Sequence, residues 1–87
     1  MTLESLIERI GAERARADAG LPATVPLPFL GFALRALEGA RSAHTAGDLE
    51  GETSALAPLA RQISDSWPFT SKLGAEILEY TQDQRRR

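Results

Sequence analysis

Residues 28–48 read PFLGFALRALEGARSAHTAGD, and this stretch decides the fold. Pro28 suits the first turn of a helix, because that position needs no backbone N–H donor. Gly47 is a typical residue just past a helix end, and Asp48 can cap a following helix. Between them, apolar residues cover much of the circumference of one helix: Phe29, Leu30, Phe32, Ala33, Leu34, Leu37, Ala40 and Ala43. The stretch predicts the central helix of an all-α fold.

The N-terminal residues predict a first helix. Thr2 is a plausible N-cap, and apolar residues then recur at steps of three and four: Leu3, Leu6, Ile7 and Ile10. Gly20, followed by Leu21 and Pro22, is a stop signal.

The first two helices are separated by a proline-rich segment, residues 21–28. Pro22, Pro26 and Pro28 fix their own φ angles and disfavour helix at the residues before them. We therefore expect an extended crossover, packed across the helices by Leu21, Val25 and Leu27.

A third helix follows Asp48, with its apolar stripe at Leu49, Leu56, Leu59, Ala60 and Ile63. Pro58 interrupts this stripe, because proline removes one backbone hydrogen bond and clashes one turn earlier. We expect a helix that is kinked near Ser54, or shortened so that it starts there.

A fourth helix is predicted after the break at residues 64–68. Thr70 or Ser71 can cap it, and its inward residues are Leu73, Ile77, Leu78 and Thr81. Residues 82–87 are expected to form a frayed tail. The prediction is a mostly antiparallel bundle of four helices, with one domain over residues 1–84 and a basic tail over 85–87.

The hydrophobic residues predict a thin core. They make up 43% of the chain, but 14 of them are alanine. Small domains rarely gain more than a few kcal/mol from a single core, so a partner or a second copy is expected to add burial. We expect a homodimer.

The composition excludes several classes of chemistry. Without cysteine the chain has no disulfide, thiolate or Cys-ligated metal. The first residues lack the basic flank of a secretory signal, and no apolar run approaches the roughly 20 residues of a membrane helix. We expect a cytoplasmic protein without membrane contact.

His44, the single histidine, is one alternative centre of chemistry. Imidazole titrates near neutral pH and can serve as a general base beside a hydroxyl such as that of Ser42, Thr45 or Ser54. A histidine at a helix end is also favoured by the helix dipole alone. We expect no catalytic residue, and an enzymatic or ligand-binding pocket near His44 or Trp67 stays an alternative.

Two acidic groups invite a metal or acid–base interpretation. Asp48, Glu50 and Glu52 alternate, but acids at a helix N-terminus explain that spacing without a cation. The second group, on the last helix, is Glu76, Glu79 and Asp83, which we interpret as a solvated face. No metal and no cofactor are expected.

Nucleic-acid binding is a second alternative. It would use Arg85, Arg86 and Arg87 with the arginines of the first helix. Residues 47–84, however, contain seven acidic and only two basic residues, and this negative charge would repel a phosphate backbone.

The aromatic residues supply the remaining candidates. Large aromatic side chains dominate both cores and interface hot spots. Trp67 can equally fill the gap between the last two helices. The candidate interaction surface is Phe29, Phe32, Trp67, Phe69 and Tyr80. The sequence thus predicts a non-enzymatic helical protein that works by protein–protein contact, as an adaptor, inhibitor or accessory subunit.

Overall fold

The computed structural model describes residues 2–22, 25–68 and 71–85. They form four helices, α1 (Leu3–Asp18), α2 (Leu27–Thr45), α3 (Leu49–Ser66) and α4 (Lys72–Arg85). No strand occurs among these residues. The predicted all-α class and the count of four helices are confirmed.

The four helices form an antiparallel bundle. Each helix packs on its neighbour in the chain, and α4 closes the bundle against α1. Arg41, late in α2, pairs with Glu4 at the start of α1. Gly74, early in α4, lies against Trp67 at the end of α3. Neighbouring helices therefore run in opposite directions, and the core lies along the bundle axis.

Helix α1 begins and ends as its sequence predicts. The Thr2 hydroxyl accepts a hydrogen bond from the Ser5 N–H (3.1 Å), which satisfies one donor of the first turn. At the other end Gly20 adopts a φ of 79°, and the Leu21 N–H returns to the Arg16 carbonyl at 2.9 Å. The buried residues of this helix are Leu3, Leu6 and Ile10.

Helices α2 and α3 are joined by a very tight turn. Gly47 takes a φ of 75°, a backbone conformation that side chains with Cβ rarely adopt. The Asp48 N–H donates to the Ala43 carbonyl (2.8 Å), while its Oδ1 accepts from the Gly51 N–H (2.9 Å). Asp48 therefore closes one helix and caps the next. A side chain at Gly51 would strike Asp48 and Ala43, so glycine permits the close approach.

The segment between α1 and α2 lies partly outside the described residues, which leave out 23 and 24. Val25 is buried, whereas Leu21 and Leu27 are 53% and 39% exposed. Val25 therefore packs on the core as expected, whereas the expected packing of Leu21 and Leu27 is wrong. The extended path of the crossover stays a prediction. Helix α2 begins at Leu27, one residue before Pro28, so the prediction of an extended crossover is wrong for residues 27 and 28.

Helix α3 is continuous from Leu49 to Ser66, with Pro58 inside it. The alternative of a helix shortened to start near Ser54 is wrong. Asp48 caps the earlier start, and the buried residues of α3 hold the helix on both sides of the proline: Glu52, Leu56, Leu59 and Ile63. The kink stays a prediction.

Helix α4 is capped by the Ser71 hydroxyl, which accepts from the Gly74 N–H at 3.0 Å. The other predicted cap, Thr70, lies outside the described residues. Of the residues predicted to face inward, Leu73, Ile77 and Thr81 are buried and Leu78 is half-buried.

The end of α4 differs from the prediction. The helix continues to Arg85, so the frayed tail expected from residue 82 is wrong for residues 82–85. Buried Thr81, whose hydroxyl donates to the Ile77 carbonyl, anchors this last part of the helix to the core.

Candidate functional site

Glu52 is the most unusual residue of the core. It is only 1% exposed, although a glutamate is almost never fully buried without a partner. Its position explains the burial, because Glu52, Leu56, Leu59 and Ile63 follow helical spacing on one face of α3. The interpretation of Glu52 as an acid placed by the helix dipole alone misses this burial. The period of the apolar stripe was the signal that could have found it.

His44 is the partner of this carboxylate. Its Nδ1 lies 2.9 Å from Glu52 Oε2, and its side chain is 55% exposed. The other carboxylate oxygen, Oε1, is buried and has no hydrogen-bond partner among the described residues. With Nδ1 bonded to Glu52, Nε2 is left as the ring nitrogen available to other groups. A buried carboxylate in this position holds the imidazole in one orientation.

A pocket of about 330 Å³ lies beside His44, at the end of the bundle where α1 starts and α4 ends. Its lining includes Arg41, which pairs with Glu4 at 3.4 Å. The pocket also contains polar groups from Thr2, Thr45, Tyr80 and Gln84. Among the described residues there is no group of three or more His, Cys, Asp or Glu side chains that could hold a metal ion. The pocket can hold a small polar molecule and offers it one oriented imidazole.

The predicted aromatic surface is divided by the structure. Trp67 and Tyr80 are buried core residues, at 5% and 9% exposure. Trp67 packs between α3 and α4 against Gly74, and its Nε1 lies 3.4 Å from Gln62 Oε1. This is the gap-filling position that the sequence offered as the alternative to an interface. Phe69 lies outside the described residues.

Of the members of that surface that the structure describes, Phe29 and Phe32 remain partly exposed, both on α2. Phe32 lines a groove of about 630 Å³ between α2 and the outer face of α3. We call it the Phe32 groove. Seven residues form its α3 side: Ser54, Ala57, Pro58, Arg61, Gln62, Asp65 and Ser66. It combines an aromatic ring and small apolar groups with one basic and one acidic side chain.

The arginines proposed for nucleic-acid contact are only partly described. Arg9 on α1 forms an ion pair with Glu76 on α4, so its charge is neutralised within the bundle. The interpretation of Glu76 as one of a solvated group is therefore wrong, since its side chain is 18% exposed. Arg86, Arg87 and the side chain of Arg85 lie outside the described residues.

None of the helices in the described ranges is both long and apolar enough to cross a membrane. Comparison with known proteins gives no match: no family model, no curated protein and no solved structure matches the chain.

Proposed function

We propose that the chain is a non-enzymatic module that works by protein–protein contact through the Phe32 groove. The main support is Phe32 itself, which is packed on the core but only half-buried. A large aromatic side chain left half in water is stabilised further when a partner covers it, which is why such residues recur at interface hot spots.

The surroundings of Phe32 also favour a protein partner. Interfaces commonly combine an apolar centre with a polar, solvent-accessible rim. In the Phe32 groove, Phe32, Ala57 and Pro58 provide apolar surface, while Arg61 and Asp65 are exposed and charged. The large apolar residues that are exposed elsewhere do not line this groove: Leu21, Leu27 and Leu49.

The experiment is affinity capture with two matched surface variants. Ala57→Arg places a long charged side chain in the groove, and Leu49→Asp changes an apolar residue that is 60% exposed elsewhere on α3. We expect Ala57→Arg to lose the proteins that the wild type and Leu49→Asp both retain. Equal retention by all three proteins would contradict a role for the groove.

A small-ligand or enzymatic function at His44 is a second candidate, favoured by the oriented imidazole beside a pocket. It predicts that His44→Gln abolishes binding of a small polar molecule, while Glu50→Gln, at an exposed residue outside the pocket, leaves it intact. Nuclear magnetic resonance screening of a polar fragment library, with perturbations mapped onto His44, Arg41 and Gln84, would reveal such a ligand. Perturbations confined to other surfaces would remove this candidate.

An extended crossover that ends at residue 26, before α2, the kink near Ser54 and a cytoplasmic location belong to the same proposal. They are supported by the prolines and by the absence of cysteine from the sequence.

A further inference from the structure

We infer that the Phe32 groove takes a second copy of this chain, in a two-fold symmetric contact centred on Phe32. The inference rests on the proposed function, because it names the partner of the same groove. Three observations support it. Phe32, on α2, lies level with one turn of α3. That turn carries one positive and one negative side chain, and this charge pattern is complementary to itself under two-fold symmetry.

The register of α2 against α3 fixes the position of Phe32. Gly39 faces Ala55, and further along α2 Ala43 faces Gly51, so a step back along α2 corresponds to a step forward along α3. Phe32 lies seven residues before Gly39, and Gln62 lies seven residues after Ala55. Phe32 is therefore level with Gln62, in the turn of α3 that runs from residue 61 to residue 65.

Arg61 and Asp65 are available for contacts across an interface. Both are exposed, and neither forms an ion pair within the described ranges of the chain. They are four residues apart on α3, so their side chains lie on one face of the helix. The rim thus presents one positive and one negative charge, one helical turn apart, at the level of the aromatic ring.

Such a rim is complementary to itself. In a two-fold contact the same patch meets its own copy, with the two α3 helices antiparallel. If the axis passes at the level of residue 63, Arg61 of each copy faces Asp65 of the other. The same axis brings the two Phe32 rings, each level with Gln62, together at the centre. Both charge pairs are attractive in this arrangement and the apolar centre is covered.

The test exploits this reciprocity with two exposed charge reversals, Arg61→Glu and Asp65→Arg. Either variant alone places like charges opposite each other at both pairs. In an equimolar mixture, one copy carries two acids at positions 61 and 65 and the other carries two bases there, so both pairs become attractive again. Sedimentation equilibrium measures the dissociation constants. The matched charge control is Arg14→Glu, at an exposed residue of α1.

We expect the wild type and Arg14→Glu to dimerise alike. The dissociation constant of each groove variant should be about tenfold higher or more, because two attractive charge pairs become two repulsive ones. The mixture should form a heterodimer, and the double variant Arg61→Glu/Asp65→Arg should recover the homodimer. Circular dichroism of each variant checks that the fold is kept.

Two results would overturn the inference. One is a wild type that stays monomeric up to about 1 mM, the weak end of specific association. The other is a dimer that neither reversal weakens. In both cases capture of a different protein, lost with Ala57→Arg, would still support the proposed function, so the two failures are distinguishable.

Discussion

His44 Nδ1 lies 2.9 Å from Glu52 Oε2, so a half-exposed imidazole is the hydrogen-bond partner of a carboxylate that is 1% exposed. The two residues are eight positions apart, one at the end of α2 and one in the first turns of α3. The α2–α3 turn brings them together. Because one partner is buried and the other is exposed, we expect substitutions at the two residues to change the free energy of unfolding in opposite directions.

Removing the two partners of this pair should have opposite effects on stability. His44→Ala leaves the buried carboxylate without its partner, and we expect a loss of about 2 kcal/mol in the free energy of unfolding. Glu52→Met removes the buried charge and its unpartnered Oε1, while the exposed imidazole turns to water. We expect a gain of about 1 kcal/mol or more. Urea unfolding followed by circular dichroism measures both, and a loss of stability in Glu52→Met would contradict the account.

Pro58→Ala should stabilise the protein. Proline inside a helix removes a hydrogen bond to the residue four positions earlier, here Ser54, and costs up to about 3 kcal/mol relative to alanine. Pro58 is exposed, so no core contact is lost with its ring. Thermal unfolding measures the change in the midpoint temperature. Pro26→Ala is the control, because Pro26 is also exposed but lies just before α2 and not inside a helix. An unchanged or lower midpoint for Pro58→Ala would show that the ring is needed.

Gly51→Ala and Gly31→Ala should also differ, although both replace a glycine within a helix. Nothing lies within 4 Å of a Cβ at Gly31, so alanine gains about 0.5–1 kcal/mol there from helix propensity. At Gly51 the Cβ would displace the Asp48 side chain and lie 3.3 Å from Ala43 Cβ. Losing the cap costs about 1 kcal/mol, which offsets the propensity gain. We expect Gly31→Ala to be the more stable variant by chemical denaturation, and the reverse order would refute the tight packing.

Gly74→Ala tests how Trp67 is packed. The added Cβ would lie 3.1 Å from Trp67 Cε3 and 3.3 Å from Ile63 Cγ2, closer than ordinary contacts. We expect a loss of about 1 kcal/mol and a shift in the tryptophan emission, since the ring must move. Gly11→Ala, where a Cβ meets nothing within 4 Å, is the control and should leave the emission unchanged. Identical emission in both variants would argue that Trp67 is not held in this gap.

Local signals in the sequence predict most of the fold. Neighbours a few residues away identify the caps at Thr2 and Asp48 and the helix ends at Gly20 and Gly47, and the structure confirms them. For α4 the sequence offers Thr70 or Ser71, and the structure shows Ser71 as a cap. Pro58 was harder, because the contacts that keep α3 continuous come from other helices. Propensity alone favours a break at that residue, and tertiary packing overrides it.

The candidate sites were less predictable, because they depend on contacts between helices. The sequence singles out His44, but it does not indicate Glu52 as its partner, because a carboxylate is rarely buried and the helix dipole alone explains an acid at that position. Trp67 and Tyr80 share their residue class with Phe32, yet only the packing of the bundle puts the first two inside. Composition supplies candidate aromatics, and the register of the helices decides which of them face water.

The turn at Gly47 and Asp48 leaves no slack in chain length. The Asp48 backbone N–H donates a hydrogen bond to α2, and its carboxylate accepts one from α3. With a single residue inserted here, one residue could no longer make both hydrogen bonds. An insertion there would also rotate α3 relative to α2, moving Glu52 away from His44 and the charged rim away from Phe32. Peptide tags, cleavage sites and circular permutations therefore belong elsewhere in the chain, and libraries built on this bundle should hold positions 46–51 constant.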